Sequence, residues 1–191
     1  MGKKENPVAQ RSRTWLTKSL LSLMEEKPYD SISILEISTR SDLVRQTFYQ
    51  NFKSKDDVLK QYLDSLFKEF SAIIKKEDVS SIRSLSLFYF EYWKEHKKFL
   101  DLLIKNDLSH LLVEQFTFYL ADLAAALSNK KTEASEEASA TKTKYAYVYL
   151  AGALTHLLLQ WTKDGQQITS EEMAFLISEI QKGRYFEINI D

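Results

Sequence analysis

The run Val44-Arg45-Gln46-Thr47-Phe48-Tyr49-Gln50-Asn51 sorts two kinds of side chain at helical spacing. Arg45, Gln46, Tyr49 and Gln50 fall on a polar face. Phe48, with Phe52 just beyond, falls on the other and is suited to anchoring the segment. A guanidinium can pair bidentately with guanine, and a carboxamide with adenine, in the major groove of DNA. Thr47, Tyr49 and Lys55 suit phosphate oxygens. Lys55 also lies in the first turn of a following helix, whose amide groups favour an anion. Ser33 and Asn51 complete the set of residues expected at nucleic acid. The plain alternative is an ordinary solvated helix face, and the flanking elements must decide between the two.

Those elements are readable. Leu16, Leu20, Leu23 and Met24 share one face of a helix expected over 10–26, which Pro28 helps to end. Ser33 and Glu36 have capping-box spacing and start a short helix over 33–40. The turn Ser41-Asp42-Leu43 separates it from a second short helix over 44–50, and Asp tolerates the positive φ that such a turn requires. Ser54 and Asp57 then cap a long helix over 55–75, with an apolar stripe from Val58 to Ile74. Two short helices about a tight turn, flanked by longer ones, describe a helix-turn-helix.

Composition excludes much else. The 191 residues include four Gly, two Pro and no Cys. Turn residues are too few for an all-β fold. No Gly-rich phosphate loop, thiol nucleophile, zinc knuckle or disulfide frame can be drawn. GxSxG and HExxH are missing, and no metal spacing joins His96, His110 and His156, so neither an enzyme, a cofactor nor a metal is expected. No apolar run is long enough for a membrane span and no secretory leader is visible, so a cytoplasmic protein is expected. Net charge is −1, divided as +3 over residues 1–60 and −4 over 61–191. The basic end is the place for a polyanion.

Beyond residue 75, helices are expected at about 81–95, 97–105 and 108–128. The polar stretch 129–143 reads as a mobile loop. Tyr145 to Trp161 is apolar nearly all round and embeds Gly152 and His156, so a partner subunit is the natural cover for its extra face. Thr169 and Glu172 cap a last helix, and the alternating tail 185–191 could extend or fray.

Residues 13–59 resemble the DNA-binding domain of the tetracycline-repressor (TetR) family of bacterial regulators. The resemblance rests on Ser31-Ile32-Ser33-Ile34-Leu35-Glu36-Ile37, on Thr47-Phe48-Tyr49-Gln50-Asn51-Phe52, and on Lys53-Ser54-Lys55-Asp56-Asp57-Val58-Leu59. The later helices are similar to that family in layout only. Three positions depart from its pattern. Asp42 stands where Gly is usual in the turn, Val44 where Ser or Thr caps the second short helix, and Pro28 where Gly precedes the aromatic.

The resemblance implies an all-α chain of about nine helices. A three-helix DNA-binding domain would span 1–53, and a helical ligand-binding and dimerisation domain 54–191. It implies a homodimer on a palindromic operator, a repressor by expectation, answering to an unknown small-molecule effector. Helical spacing allows Phe67, Phe70, Tyr89, Tyr92, Trp93, Phe116 and Tyr119 to line an apolar ligand pocket, with plain core as the alternative. Tyr149, Gly152, Leu157, Trp161, Leu176, Ile177 and Ile180 are expected at the dimer interface. Lys3, Lys4, Arg11 and Arg13 could form an arm across DNA, or a frayed end. A dimeric co-regulator with a degenerate reading head, acting through another protein, is the competing function.

Overall fold

The computed structural model describes residues 6–77, 79, 81–128 and 136–185. Among them lie nine α-helices, one 3-10 turn and no strand. Helix α1 (Pro7–Glu26) begins three residues before the expected start. Asn6 accepts the Val8 N–H at 3.0 Å, and Pro7 fills the first position, where its missing N–H is no loss. A 3-10 turn (Tyr29–Ser31) follows. Helices α2 (Ile34–Arg40) and α3 (Arg45–Asn51) form the pair foreseen. Ser33 and Glu36 close their capping box, with the Ser33 N–H donating at 2.9 Å.

Helix α4 (Lys55–Ile74) is capped by Ser54, which accepts the Asp57 N–H at 3.1 Å. It buries Val58, Leu59, Leu63, Leu66, Phe67 and Phe70. Helices α5 (Ile82–Glu95) and α7 (Ser109–Ser128) then pack on α4, and α6 (Lys97–Lys105) lies against α1, α5 and α7. Ser81 and Ser84 cap α5 reciprocally, a box that Ser-for-Glu replacement hides in the sequence. Helix α8 (Glu136–Lys163) lies against α6 and α7, and α9 (Ser170–Gln181) against α5.

Two expectations are corrected here. The polar stretch 129–143 is helical from Glu136 onward; only 129–135 lie outside the described residues. Acidic residues at a helix start complement its dipole, and Ala favours the helix although no apolar stripe is present. Arg11 and Arg13 belong to α1, so they form no arm, while Lys3 and Lys4 lie outside the described residues. The tail beyond Tyr185 lies outside them as well.

One continuous core runs from Leu16 in α1 to Ile177 in α9. Helices α1, α2 and α3 pack on one another, and α4 joins them to the body. Trp161 and Ile177, expected between subunits, are instead 4% and 5% exposed within the protomer. The Trp161 ring meets Phe90 edge-on at 5.3 Å and its indole N–H donates to the Ile168 carbonyl at 2.8 Å. A side chain so enclosed has almost no area left to offer a partner.

Candidate nucleic-acid interface

The turn between α2 and α3 is built from backbone. Asp42 takes a φ of 55°, the conformation for which its residue type is suited. Its N–H donates to the Thr39 carbonyl at 3.1 Å, and the Leu43 N–H to Ser38 at 2.9 Å. Ser41, buried, fixes its hydroxyl on the Ile37 and Ser38 carbonyls. Val44 makes no side-chain cap. The first amides of α3 therefore lack the side-chain acceptor that a Ser or Thr would bring.

Phe48 is fully buried and stacks towards Phe52 at 5.8 Å between ring centres. That anchoring turns Arg45, Gln46, Tyr49 and Gln50 outward, and all four are exposed. Arg45 lies over the Tyr49 ring at 5.5 Å and donates to its hydroxyl at 3.1 Å. The pair holds a cation and a phenol side by side, one helical turn apart, before any ligand arrives.

The remaining members of the expected set are engaged within the protein. Thr47 is half-buried, and the Asn51 amide donates to its carbonyl at 2.8 Å. The Ser33 hydroxyl donates to Glu36 at 2.8 Å. Lys55 departs furthest from the expectation of a phosphate contact. Its ammonium donates to the Tyr29 carbonyl at 2.7 Å and to Asp30 and Ile32 at 3.3 Å, and lies 4.2 Å from the centre of the Tyr29 ring. Three carbonyls leave its three donors no free direction, so it closes the end of the 3-10 turn.

This lysine belongs to a hub that spacing does not reveal, since its members stand far apart in sequence. The Tyr29 hydroxyl donates to Asp56, and burial together with that carboxylate pushes the phenol well above its ordinary range. The Tyr29 N–H reaches Asn106, 77 residues away, and Lys105 donates to the Glu25 carbonyl at 2.9 Å. On the flank, Arg40 grips Glu26 and Ser22, and the hydrogen bonds from Arg40 hold the Glu26 carboxyl low. Position and angle of the short helices are thus set by α1, α4 and α6 together.

In the body, the aromatics expected to line a pocket stack on one another. Phe67 lies 5.5 Å from Phe116 and 5.3 Å from Trp93, and Tyr89 lies 4.8 Å from Phe116. Phe67, Phe70, Tyr89, Trp93 and Phe116 are buried. Tyr92 donates to the Leu66 carbonyl at 2.8 Å, and Tyr119 to Asp64. The larger hollows open elsewhere. A groove of about 650 Å³ lies between α7 and α8, beside His110 and His156, and one of about 610 Å³ between α1 and α4. On the proposed dimer face, Tyr149 is exposed, and Gly152, Leu157, Leu176 and Ile180 are half-buried. Among the described residues no cluster of three metal-ligating side chains occurs, and no helix is long and apolar enough to cross a membrane.

Comparison with known proteins agrees with this architecture. Residues 16–62 match the family described as bacterial regulatory proteins, tetR family, and residues 80–183 a transcriptional regulator C-terminal region of the same group. Among solved structures, Lin0861 from Listeria innocua is 14% identical, with 95% of each chain covered and a TM-score of 0.76. The fatty acid degradation regulator FadR from Bacillus halodurans is 16% identical, with 96% of this chain and 98% of that one covered and a TM-score of 0.65. NalD, the secondary repressor of the MexAB-OprM multidrug efflux pump in Pseudomonas aeruginosa, is 14% identical, with 94% and 98% covered and a TM-score of 0.58. At such identities the likeness is one of fold. A search of curated proteins found no match.

Proposed function

The chain belongs to the tetR family of bacterial regulatory proteins, and from that premise we infer how it reads DNA. It is a ligand-responsive, DNA-binding transcriptional regulator. It acts as a homodimer on a near-palindromic operator, as a repressor. The division into a reading head over 1–53 and an effector-binding, dimerising body over 54–191 follows the same reading. The observation that carries it is the outward face of α3: Arg45, Gln46, Tyr49 and Gln50 exposed together, above a buried Phe48.

Arg45 and Gln50 read base edges, Gln46 assists them, and Tyr49 meets phosphate. Thr47 stands at the edge of this face. Ser33, Asn51 and Lys55 serve by holding helix ends and the 3-10 turn in place, which fixes the angle at which α3 enters a groove. Two copies of α3 spaced by one turn of DNA, ~34–36 Å, would read two half-sites. Tyr149, Gly152, Leu157, Leu176 and Ile180 supply the face that pairs the protomers.

Selection of bound duplexes from a random pool, read by sequencing across a salt series, tests this. A palindrome with fixed half-site spacing and a steep salt slope is expected. A folded dimer that enriches no sequence at low salt would instead be a co-regulator working through another protein. An effector shifts the operator affinity only through its different affinity for the two arrangements of the heads.

A further inference from the structure

The residue that opens α3 is apolar and faces solvent. Val44, the N-cap, is 68% exposed. Its extended backbone (φ −76°, ψ 148°) takes the side chain out of the helical period that buries Phe48. Backbone hydrogen bonds fix its place. The Val44 carbonyl accepts the Thr47 N–H at 2.8 Å, and the Leu43 N–H just before it donates to the Ser38 carbonyl at 2.9 Å. Two branches on Cβ already restrict its rotamers, so little freedom is lost when it meets a surface.

The chemistry around it narrows what that surface can be. Asp42 is exposed and offers only oxygen acceptors, Leu43 is half-buried, and Val44 has no polar atom in its side chain. A phosphate at this end of α3 would find no side-chain donor before Arg45. A base edge is the other choice, and in a helix-turn-helix the first residues of the second helix are the ones that reach base edges. The one methyl on the major-groove edges of the four bases is that of thymine. Leu35 is also apolar and 62% exposed, but it lies on α2, the helix that crosses the DNA backbone in such a pair.

We propose that Val44 is a specificity-determining residue whose isopropyl group reads the C5-methyl of one thymine in each half-site. The contact removes two apolar groups from water. It adds a preference that Arg45 and Gln50, bonding to polar edges, do not supply. The same valine leaves the first amides of α3 without a side-chain acceptor. Helix stability is thus given up at the position where base preference is gained. The inference rests on the regulator reading above and deepens it at a residue with no hydrogen-bonding group.

The full chain first selects its operator from a random pool. Each thymine of the half-site is then replaced in turn by deoxyuridine, which lacks only the methyl and pairs identically. At one position the replacement should weaken binding about fourfold in one half-site and about fifteenfold in both, the worth of one methyl group per contact. Val44→Ser should bind the thymine and deoxyuridine operators equally. Its melting temperature should be no lower than the parent's, because serine caps the helix, so misfolding does not explain the loss. Leu35→Ser, the control from α2, should keep the full preference for thymine.

Three results overturn the proposal. The first is an operator in which no thymine is sensitive to the replacement. The second is a penalty that persists in Val44→Ser, which would assign the methyl to another side chain. The third is a Leu35→Ser chain that loses the preference as Val44→Ser does. In each of these the selected palindrome stands, and the regulator reading with it. A folded chain that enriches no duplex removes that reading, and this proposal with it.

Discussion

The backbone N–H of Tyr29 donates to the Asn106 side-chain oxygen at 2.8 Å, joining the segment after α1 to the corner between α6 and α7. Asn106 is itself held by donating to the Leu102 carbonyl at 2.9 Å, and Lys105 adds its bond to Glu25. The reading head therefore does not hang on α4 alone. A shift of α6 is felt at the end of α1. Asn106→Ala should lower unfolding free energy by about 1–2 kcal/mol and speed amide exchange at Tyr29. Asn106→Asp keeps the acceptor and should recover part of the loss. Denaturant titration and hydrogen exchange check both; unchanged exchange at Tyr29 would show that the link is not made in solution.

Lys55→Ala should act on stability before it acts on DNA. Three carbonyls lose a charged donor, at a cost of about 2 kcal/mol, and Tyr29 loses the cation on its ring. A melt shows this without any duplex present. If Lys55→Ala melts normally but binds every duplex more weakly with a shallower salt slope, the lysine is a phosphate contact after all.

On α3, Tyr49→Ala should weaken binding to all sequences alike and also free Arg45 from its hydrogen bond. Arg45→Ala and Gln50→Ala should relax preference at single base pairs, by about 1–3 kcal/mol for each lost base contact. Equal losses on every duplex for all three would show that no base reading occurs on this face.

Acid should loosen the head by way of Glu36. The Lys27 hydrogen bond, helped by Ser33, holds its carboxyl at about 2, against an ordinary 4.5. A lowered folded value means that its stabilisation is complete above 4.5 and is lost as the pH falls towards 2. Glu36→Gln should remove that part of the acid sensitivity and flatten the melting profile across this window. An unaltered profile would place the acid sensitivity elsewhere.

Gly152 gives the cleanest test of pairing. Within the protomer a Cβ added there meets nothing within 4 Å. Gly152→Ala should therefore strengthen α8 by about 1 kcal/mol in an isolated protomer, yet loosen a dimer whose helices approach closely at that point. Tyr149→Glu should dissociate the dimer and leave the protomer folded. Ile177→Glu, 5% exposed, should unfold the protomer itself. Sedimentation and circular dichroism separate these outcomes, and a dimeric Tyr149→Glu would move the interface elsewhere.

What could be seen in the sequence was local. The Ser33–Glu36 and Thr169–Glu172 boxes involve partners three residues apart, and both form. Asp42 announced its turn by residue type, and Phe48 its burial by period. Lys55 was misleading because its partners lie 23 to 26 residues away, where no spacing rule reaches. The start of α8 carries no stripe, so periodicity could not separate it from a loop. Trp161 and Ile177 were apolar on a helix with too many apolar faces, and the pattern could not say which face turned inward.

The three tryptophans are distributed unevenly between solvent and interior. Trp15, on α1 near the Ser41-Asp42 turn, is 47% exposed, whereas Trp93 and Trp161 are 0% and 4% exposed in the body. An aqueous quencher can strike the first and not the other two. The intrinsic emission of one unlabelled sample therefore divides into a quenchable red part that follows the reading head and a protected blue part that follows the body. If the two halves divide operator and effector as proposed, operator should change the first and effector the second, so the order in which they respond can be timed in a single cuvette.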